Sequence, residues 1–158
     1  MNNEELYELL FKNNCIKKGS FLLKNGQTSD FYIDIKNIIS YPFLIKYIGD
    51  QLYSILDDFD IICGIPYGGL PIALYISITY NKPLIYIRDK TKEYGTKKLI
   101  EGEYNKNSRC VIIDDVLTTG KSIEKDITTL SNKVNIVDKA VVVNRNKNYN
   151  IKSLLTLV

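Results

Sequence analysis

The sequence predicts an α/β fold: a mostly parallel sheet flanked by helices on both faces. Three observations carry this. Short apolar runs, dense in β-branched residues, recur at 61–63, 84–87, 111–113 and 139–143. Runs without polar alternation are what strands buried on both faces look like. Between them lie segments of helical period, among them 70–80 and the Ile123, Ile127, Leu130 stripe. The junctions are turns rich in Gly or hydroxyls, at 64–69 and 118–122. Strands alternating with helices build parallel sheets.

At 158 residues the chain holds one core and is short for two domains. The expected unit is one domain over 1–158, with an N-terminal helix and hood over about 1–40 and a ligand-binding core over about 41–158. The net charge of +3 comes without a dense Lys/Arg block. A small phosphorylated ligand accounts for it better than nucleic acid. Three cysteines at unpaired spacing argue against a disulfide framework or zinc, and for a reducing cytosol. With no histidine, His-activated nucleophiles and His metal ligands are excluded. No apolar run reaches membrane-spanning length, and Met1-Asn2-Asn3-Glu4-Glu5 is no signal peptide. The expectation is a cytoplasmic protein with no membrane partner. No repeat, low-complexity segment or linker interrupts the chain.

In order, Leu6, Leu9, Leu10 and Phe11 suit an amphipathic helix over 4–13, broken by Lys18-Gly19-Ser20. Residues 21–24 and 31–35 read as strands around the Asn25-Gly26 turn, forming a hairpin-like flap. Pro42 opens a helix through 56, with Leu44, Ile45, Ile48, Leu52 and Ile55 at helical spacing. The strand 61–63, a Gly turn, the helix 70–80 and the strand 84–87 follow. Residues 88–102 carry many charges and no apolar period, the mark of a long functional loop. The strand at 111–113, its helix, the strand 139–143 and a last strand 154–158 complete the chain.

The chemistry centres on Asp114-Asp115-Val116-Leu117-Thr118-Thr119-Gly120-Lys121-Ser122. Carboxylates at the carboxyl end of a buried strand can hold a ribose diol. Backbone N–H groups and hydroxyls at the following helix start suit a phosphate. An Asp pair alone could be a plain turn, but the loop after it makes every position useful. A triphosphate P-loop is disfavoured because its first Gly is replaced by Asp115. Gly64-Ile65-Pro66-Tyr67-Gly68-Gly69 lets N–H groups approach an anion, though ordinary strand-to-helix turns look similar. The 88–102 segment is a basic loop that could close over a leaving anion, or could merely be solvated. Arg145, just past a buried strand, could fork onto a carboxylate; a plain surface Arg is the alternative.

On these residues the chain resembles the type I phosphoribosyltransferases, whose signature for phosphoribosyl pyrophosphate (PRPP) matches 111–122. The resemblance implies a parallel sheet, a mobile catalytic loop and a hood over the base. It assigns Asp114 and Asp115 to the ribose, and Thr118, Thr119, Gly120, Lys121 and Ser122, with Val116 and Leu117, to the phosphoribosyl group. It places pyrophosphate on the 64–69 loop, with Tyr67 at an aromatic position and Gly68 where many members have Lys. The 88–102 loop is similar to that of the orotate enzymes, in particular the one in bifunctional UMP synthases. Arg88, Lys92 and Gly95 match; Tyr94 stands where bacterial members carry His, and Asp89-Lys90 departs from the usual Lys-Glu order, with Lys90 the candidate replacement. The stretch Phe21-Leu22-Leu23-Lys24-Asn25-Gly26-Gln27-Thr28-Ser29-Asp30-Phe31-Tyr32 resembles the orotate enzymes' N-terminal element. Carried over, Lys24 faces PRPP, while Tyr32, Ile33, Thr118 and Arg145 place orotate; Asn144 replaces the usual Asp. The family pattern carries one more helix beyond the final strand, and the sequence reaches only Val158 with nothing of a decarboxylase half.

The resemblance therefore implies transfer of 5-phosphoribosyl from PRPP to orotate, giving orotidine 5′-monophosphate and pyrophosphate. It implies Mg²⁺ without direct protein ligation, a homodimer with shared active sites, and Lys92, Arg88, Asp114 and Asp115 as the catalytic set. Two alternatives stay open: the same chemistry on a purine or uracil, and a PRPP-binding regulator without catalysis.

Overall fold

The computed structural model describes residues 3–22, 26, 28–88 and 98–157. Helix α1 (Asn3–Lys12) leads into a two-stranded antiparallel sheet of β1 (Ile16–Leu22) and β2 (Thr28–Ile33). A 3-10 helix (Ile35–Ser40) connects these to α2 (Pro42–Ile55). Then come β3 (Ile61–Gly64), α3 (Gly69–Tyr80), β4 (Leu84–Ile87) and β5 (Ile100–Glu101). The chain continues with β6 (Arg109–Leu117), α4 (Lys121–Leu130), β7 (Asn135–Asn144) and β8 (Lys152–Thr156). The main sheet has the order β5-β4-β3-β6-β7-β8, parallel throughout except for β5 at the edge.

The continuous apolar strands follow from a core on each side of the sheet. Along β6, Val111 and Ile113 face one core with Leu44, Ile48 and Leu52 of α2 and Ile72 and Ile76 of α3. Cys110 and Ile112, alternating with them, face the other core with Ile123 and Leu130 of α4. Period-2 alternation then requires apolar residues at every position. Truncating one of these fully buried side chains, Ile48→Ala for example, removes about 2–5 kcal/mol. Leu6, Leu10, Ile16, Ile35 and Ile38 join the first core, so the N-terminal lobe is seated on the sheet by packing. Pro42 stands at the start of α2, where its missing N–H is not needed. Asn81 ends α3 in the left-handed conformation common at helix C-termini.

Several boundaries differ from the sequence reading. Lys18-Gly19-Ser20 does not break a helix; it lies inside β1, where the register against β2 shifts between Lys18 and Phe21. The strand expected at 21–24 therefore begins five residues earlier. The second strand runs from Thr28 to Ile33 rather than over 31–35; Ile35 and Ile38, three residues apart, are buried on one side of the 3-10 turn that follows. Ile100 and Glu101 form a short strand against Tyr86 and Ile87 within the segment expected to be all loop. The last strand runs from Lys152 to Thr156 rather than over 154–158. All three cysteines are buried and free; Cys63 and Cys110 serve as small core residues on neighbouring strands.

Candidate active site

Strand β3 feeds α3 and then β4 on one side of the sheet, while β6 feeds α4 and then β7 on the other. Since β3 and β6 are neighbours, their carboxyl ends open the crevice where such sheets take ligands. Strand β6 continues through Leu117, so Asp114 and Asp115 lie within it rather than after it, at 9% and 6% exposure. The Asp115 N–H donates to Asp114 Oδ1 at 2.8 Å, and the Val116 N–H donates to Asp115 Oδ1 at 2.9 Å. Burial, together with the charge of Asp115, pushes the Asp114 carboxyl up to about 8 against the opposing Asp115 N–H bond.

Lys36, a residue no motif singled out, sits on the 3-10 helix with Nζ 3.0 Å from Asp115 Oδ2. Partial burial works against its charge, but the hydrogen bond to Asp115 and the fields of Asp115, Asp114 and Asp34 outweigh it and raise its pKa. The Gly64–Gly69 turn presses against the same acids. A Cβ at Gly68 would lie 2.1 Å from Asp115 Oδ2, and one at Gly69 would lie 2.3 Å from the Ile113 carbonyl oxygen. The turn is closed by the Ile65 N–H donating to that carbonyl at 2.9 Å, and the Pro66–Tyr67 peptide is cis. Tyr67 stands exposed at the rim.

Beyond the acids, Thr118 and Thr119 are exposed and Gly120 takes φ +85°. Helix α4 then starts at Lys121, whose N–H donates to Thr119 Oγ1 at 3.4 Å, while Gly120 offers no side-chain cap to the N–H groups that follow. A cleft of about 60 Å³ opens here, lined by Asp114, Thr118, Thr119, Gly120 and Ser122. Uncapped helix donors at such a cleft attract a phosphate-sized anion. A Cβ on Gly120 would meet the Tyr149 ring at 2.7 Å, and Tyr149 in turn hydrogen-bonds Glu124 of α4. Val116 and Leu117 turn their side chains into packing.

The Arg145 N–H donates to the Leu117 carbonyl at 2.8 Å, fixing this residue beside the loop. Its guanidinium lies 4.9 Å from the Phe31 ring centroid, so β2 reaches over the sheet end. Tyr32 is exposed and tilted against Phe21 at 5.6 Å, whereas Ile33 packs on the core; the two point to opposite faces of β2. Buried Asn144 receives the Asn146 N–H at 2.8 Å and shapes the turn that carries Arg145. Arg88, at the end of β4, is paired with Glu101 at 3.0 Å. Lys24, Lys92 and Tyr94, with Asp89 and Lys90, lie outside the described residues. The structure thus gathers Asp114, Asp115, Gly68, Thr118 to Ser122 and Arg145 at the carboxyl end of the central strands, and adds Lys36 and Phe31.

Comparison with known proteins agrees with this geometry. A phosphoribosyl transferase domain matches residues 34–153. Orotate phosphoribosyltransferase of Methanocaldococcus jannaschii is 40% identical over 140 residues, 88% of this chain and 80% of its own length. Uridine 5′-monophosphate synthase of Bos taurus is 36% identical over 86% of this chain, which spans 29% of that protein. Among solved structures, orotate phosphoribosyltransferase from Aeropyrum pernix superposes with TM-score 0.80 and 30% identity, covering 96% of this chain and 93% of its own. UMP synthase of Leishmania donovani superposes with TM-score 0.86 and 34% identity, over 99% of this chain and 37% of its own. With a matching domain over most of its length and relatives of this identity and coverage, the chain belongs to the phosphoribosyl transferase family and, within it, to the orotate phosphoribosyltransferases.

Proposed function

We propose that this protein transfers the 5-phosphoribosyl group of PRPP to orotate, releasing pyrophosphate and forming orotidine 5′-monophosphate for pyrimidine synthesis. The observation that carries the reading is the buried acid pair within β6, followed by the Thr118–Ser122 loop at a helix start, with Arg145 held beside that loop through Leu117. The names of its relatives support orotate as the base.

In this reading Asp114 and Asp115 hold the ribose hydroxyls, and Thr118 to Ser122 hold the 5′-phosphate. Arg145 forks onto the orotate carboxylate, which separates orotate from uracil. Thr118, Tyr32 and Ile33 border the base, and Lys24 faces the PRPP side. The C1′–oxygen bond breaks with its electron pair leaving on pyrophosphate, and N1 of orotate forms the new C1′–N bond as its N–H proton is given up to solvent or to the departing pyrophosphate. Arg88 and Lys92 neutralise the departing charge, so the protein works by positioning and electrostatics. Arg88 would exchange Glu101 for the anion. Tyr67, Gly68 and Tyr94 complete the pyrophosphate side.

Mg²⁺ fits this donor set as an ion carried by PRPP. The two hard carboxyl groups at the end of β6 can meet its waters, and Mg²⁺ takes substrate phosphates readily as ligands. When bound it would neutralise pyrophosphate charge. A homodimer with shared sites belongs to the proposal; exposed Leu74 and Ile78, one turn apart on α3, with exposed Phe43 on α2, support a covered face. One domain over 1–158 and a cytoplasmic location complete it; among the described residues no helix is long and apolar enough to cross a membrane.

The test mixes protein, PRPP, Mg²⁺ and orotate and follows the ultraviolet absorbance of orotate. A fall in absorbance that needs PRPP is the expected result. An unchanged trace at high enzyme, with PRPP binding intact, would sink the catalytic reading.

A further inference from the structure

Lys36 belongs to the N-terminal lobe, yet its ammonium reaches the buried floor of the sheet. Its backbone is anchored: Ile35 and Ile38 on either side are buried, and the Asp34 N–H donates to the Cys15 carbonyl at 2.8 Å. Asn37 Nδ2 donates to the Asn13 carbonyl at 3.1 Å. This is a placed cation rather than a free surface lysine.

Its partner oxygen gives the direction. Asp115 Oδ2 receives Lys36 Nζ and is also the atom against which Gly68 packs. The ammonium therefore stands where the acid pair meets the Gly64–Gly69 turn, on the β3 side, while the Thr118–Ser122 loop leaves on the α4 side. The turn itself contains no Lys or Arg. A diphosphate lying on it would meet neutral N–H groups and the charge of Asp115, an arrangement that repels it. An ammonium carries three donors, of which Asp115 takes one. The Lys36 side chain is 62% exposed, so the others are open to a ligand.

We propose that Lys36 is a substrate-contacting residue: one N–H stays on Asp115 while another takes an anionic oxygen of the PRPP diphosphate, supplying the charge that the Gly64–Gly69 turn lacks. This rests on the PRPP reading above. It also makes the N-terminal lobe part of the phosphate site, and not only of the base site.

The experiment compares binding of PRPP and of ribose 5-phosphate, which lacks the diphosphate, by calorimetry with Mg²⁺ present. Wild type, Lys36→Met, Lys36→Gln and Lys36→Arg are titrated, with melting curves to confirm folding. Both neutral variants should weaken PRPP binding about tenfold or more. Ribose 5-phosphate affinity should stay within about twofold. Lys36→Arg should restore most of the PRPP affinity, and the difference should shrink as salt rises. Equal losses on both ligands would overturn the proposal, leaving Lys36 a support for Asp115; so would unchanged PRPP affinity. A wild type that fails to bind PRPP would instead sink the functional reading itself, which separates the two failures.

Discussion

The guanidinium of Arg145 lies 4.9 Å from the centroid of the Phe31 ring, joining the end of β7 to the N-terminal lobe. This contact holds a planar, permanently charged donor fork in place while its edge stays half-exposed. Arg145→Ala should raise the KM for orotate by about tenfold or more. Arg145→Lys should recover little of it, since a lysine neither forks nor stacks in the same way. Phe31→Leu should have a smaller effect, and a double-mutant cycle should show coupling of about 0.5–1 kcal/mol. Independent effects of the two changes would show that the ring does not orient the arginine.

Asp114 makes stability depend on pH. Its folded pKa, about 8, stands above the ordinary value of 3.8 because the site is buried and Asp115 is adjacent. The folded state therefore holds a proton that the unfolded chain releases. The resulting stabilisation is fully present below about 4 and is lost as pH rises through about 8. Urea midpoints should fall between pH 5 and 9 in the wild type and stay flatter in Asp114→Asn. A parallel decline in both proteins would assign the effect to another group.

Gly68 and Gly69 test the close approach of the two strand ends. Gly69→Ala puts a methyl 2.3 Å from a backbone carbonyl oxygen, which has nowhere to move. It should lower stability by about 1–3 kcal/mol in thermal melts. Gly68→Ala puts a methyl 2.1 Å from Asp115 Oδ2 and 2.7 Å from its Cβ, so the acid itself must shift. Its main effect should fall on PRPP affinity, with a smaller loss of stability. The opposite ranking would mean that the acid, rather than the backbone, is the rigid partner.

Lys92 is expected to act on the transition state. Lys92→Ala should lower kcat far more than it raises the Kd for PRPP, because the leaving pyrophosphate carries more charge than the bound substrate. Equal losses in both measurements would remove that role.

Much of this was legible in the residues. The β6–α4 motif announced itself because a buried strand, two acids and a donor loop are consecutive in the chain. What was not legible came from distance in sequence. Lys36 is 79 residues from Asp115, and nothing in Ile35-Lys36-Asn37 marks it. The Phe31–Arg145 contact likewise depends on how the lobe docks. Tyr32 drew attention as the aromatic beside the base, but alternation along β2 gives its two faces to Phe31 and Tyr32 separately, and Phe31 meets the arginine. Apolar character ends at Ile113, which sets the acids after the strand in the sequence; backbone pairing continues to Leu117 regardless of polarity.

Along β6, each acid's Oδ1 is bonded to the N–H of the next residue, so neither carboxyl rotates freely. The rotational entropy of two side chains is surrendered during folding, when the whole core shares the loss. A ligand arriving at the crevice meets a mould already set, and its binding free energy is not drained by ordering the groups that receive it.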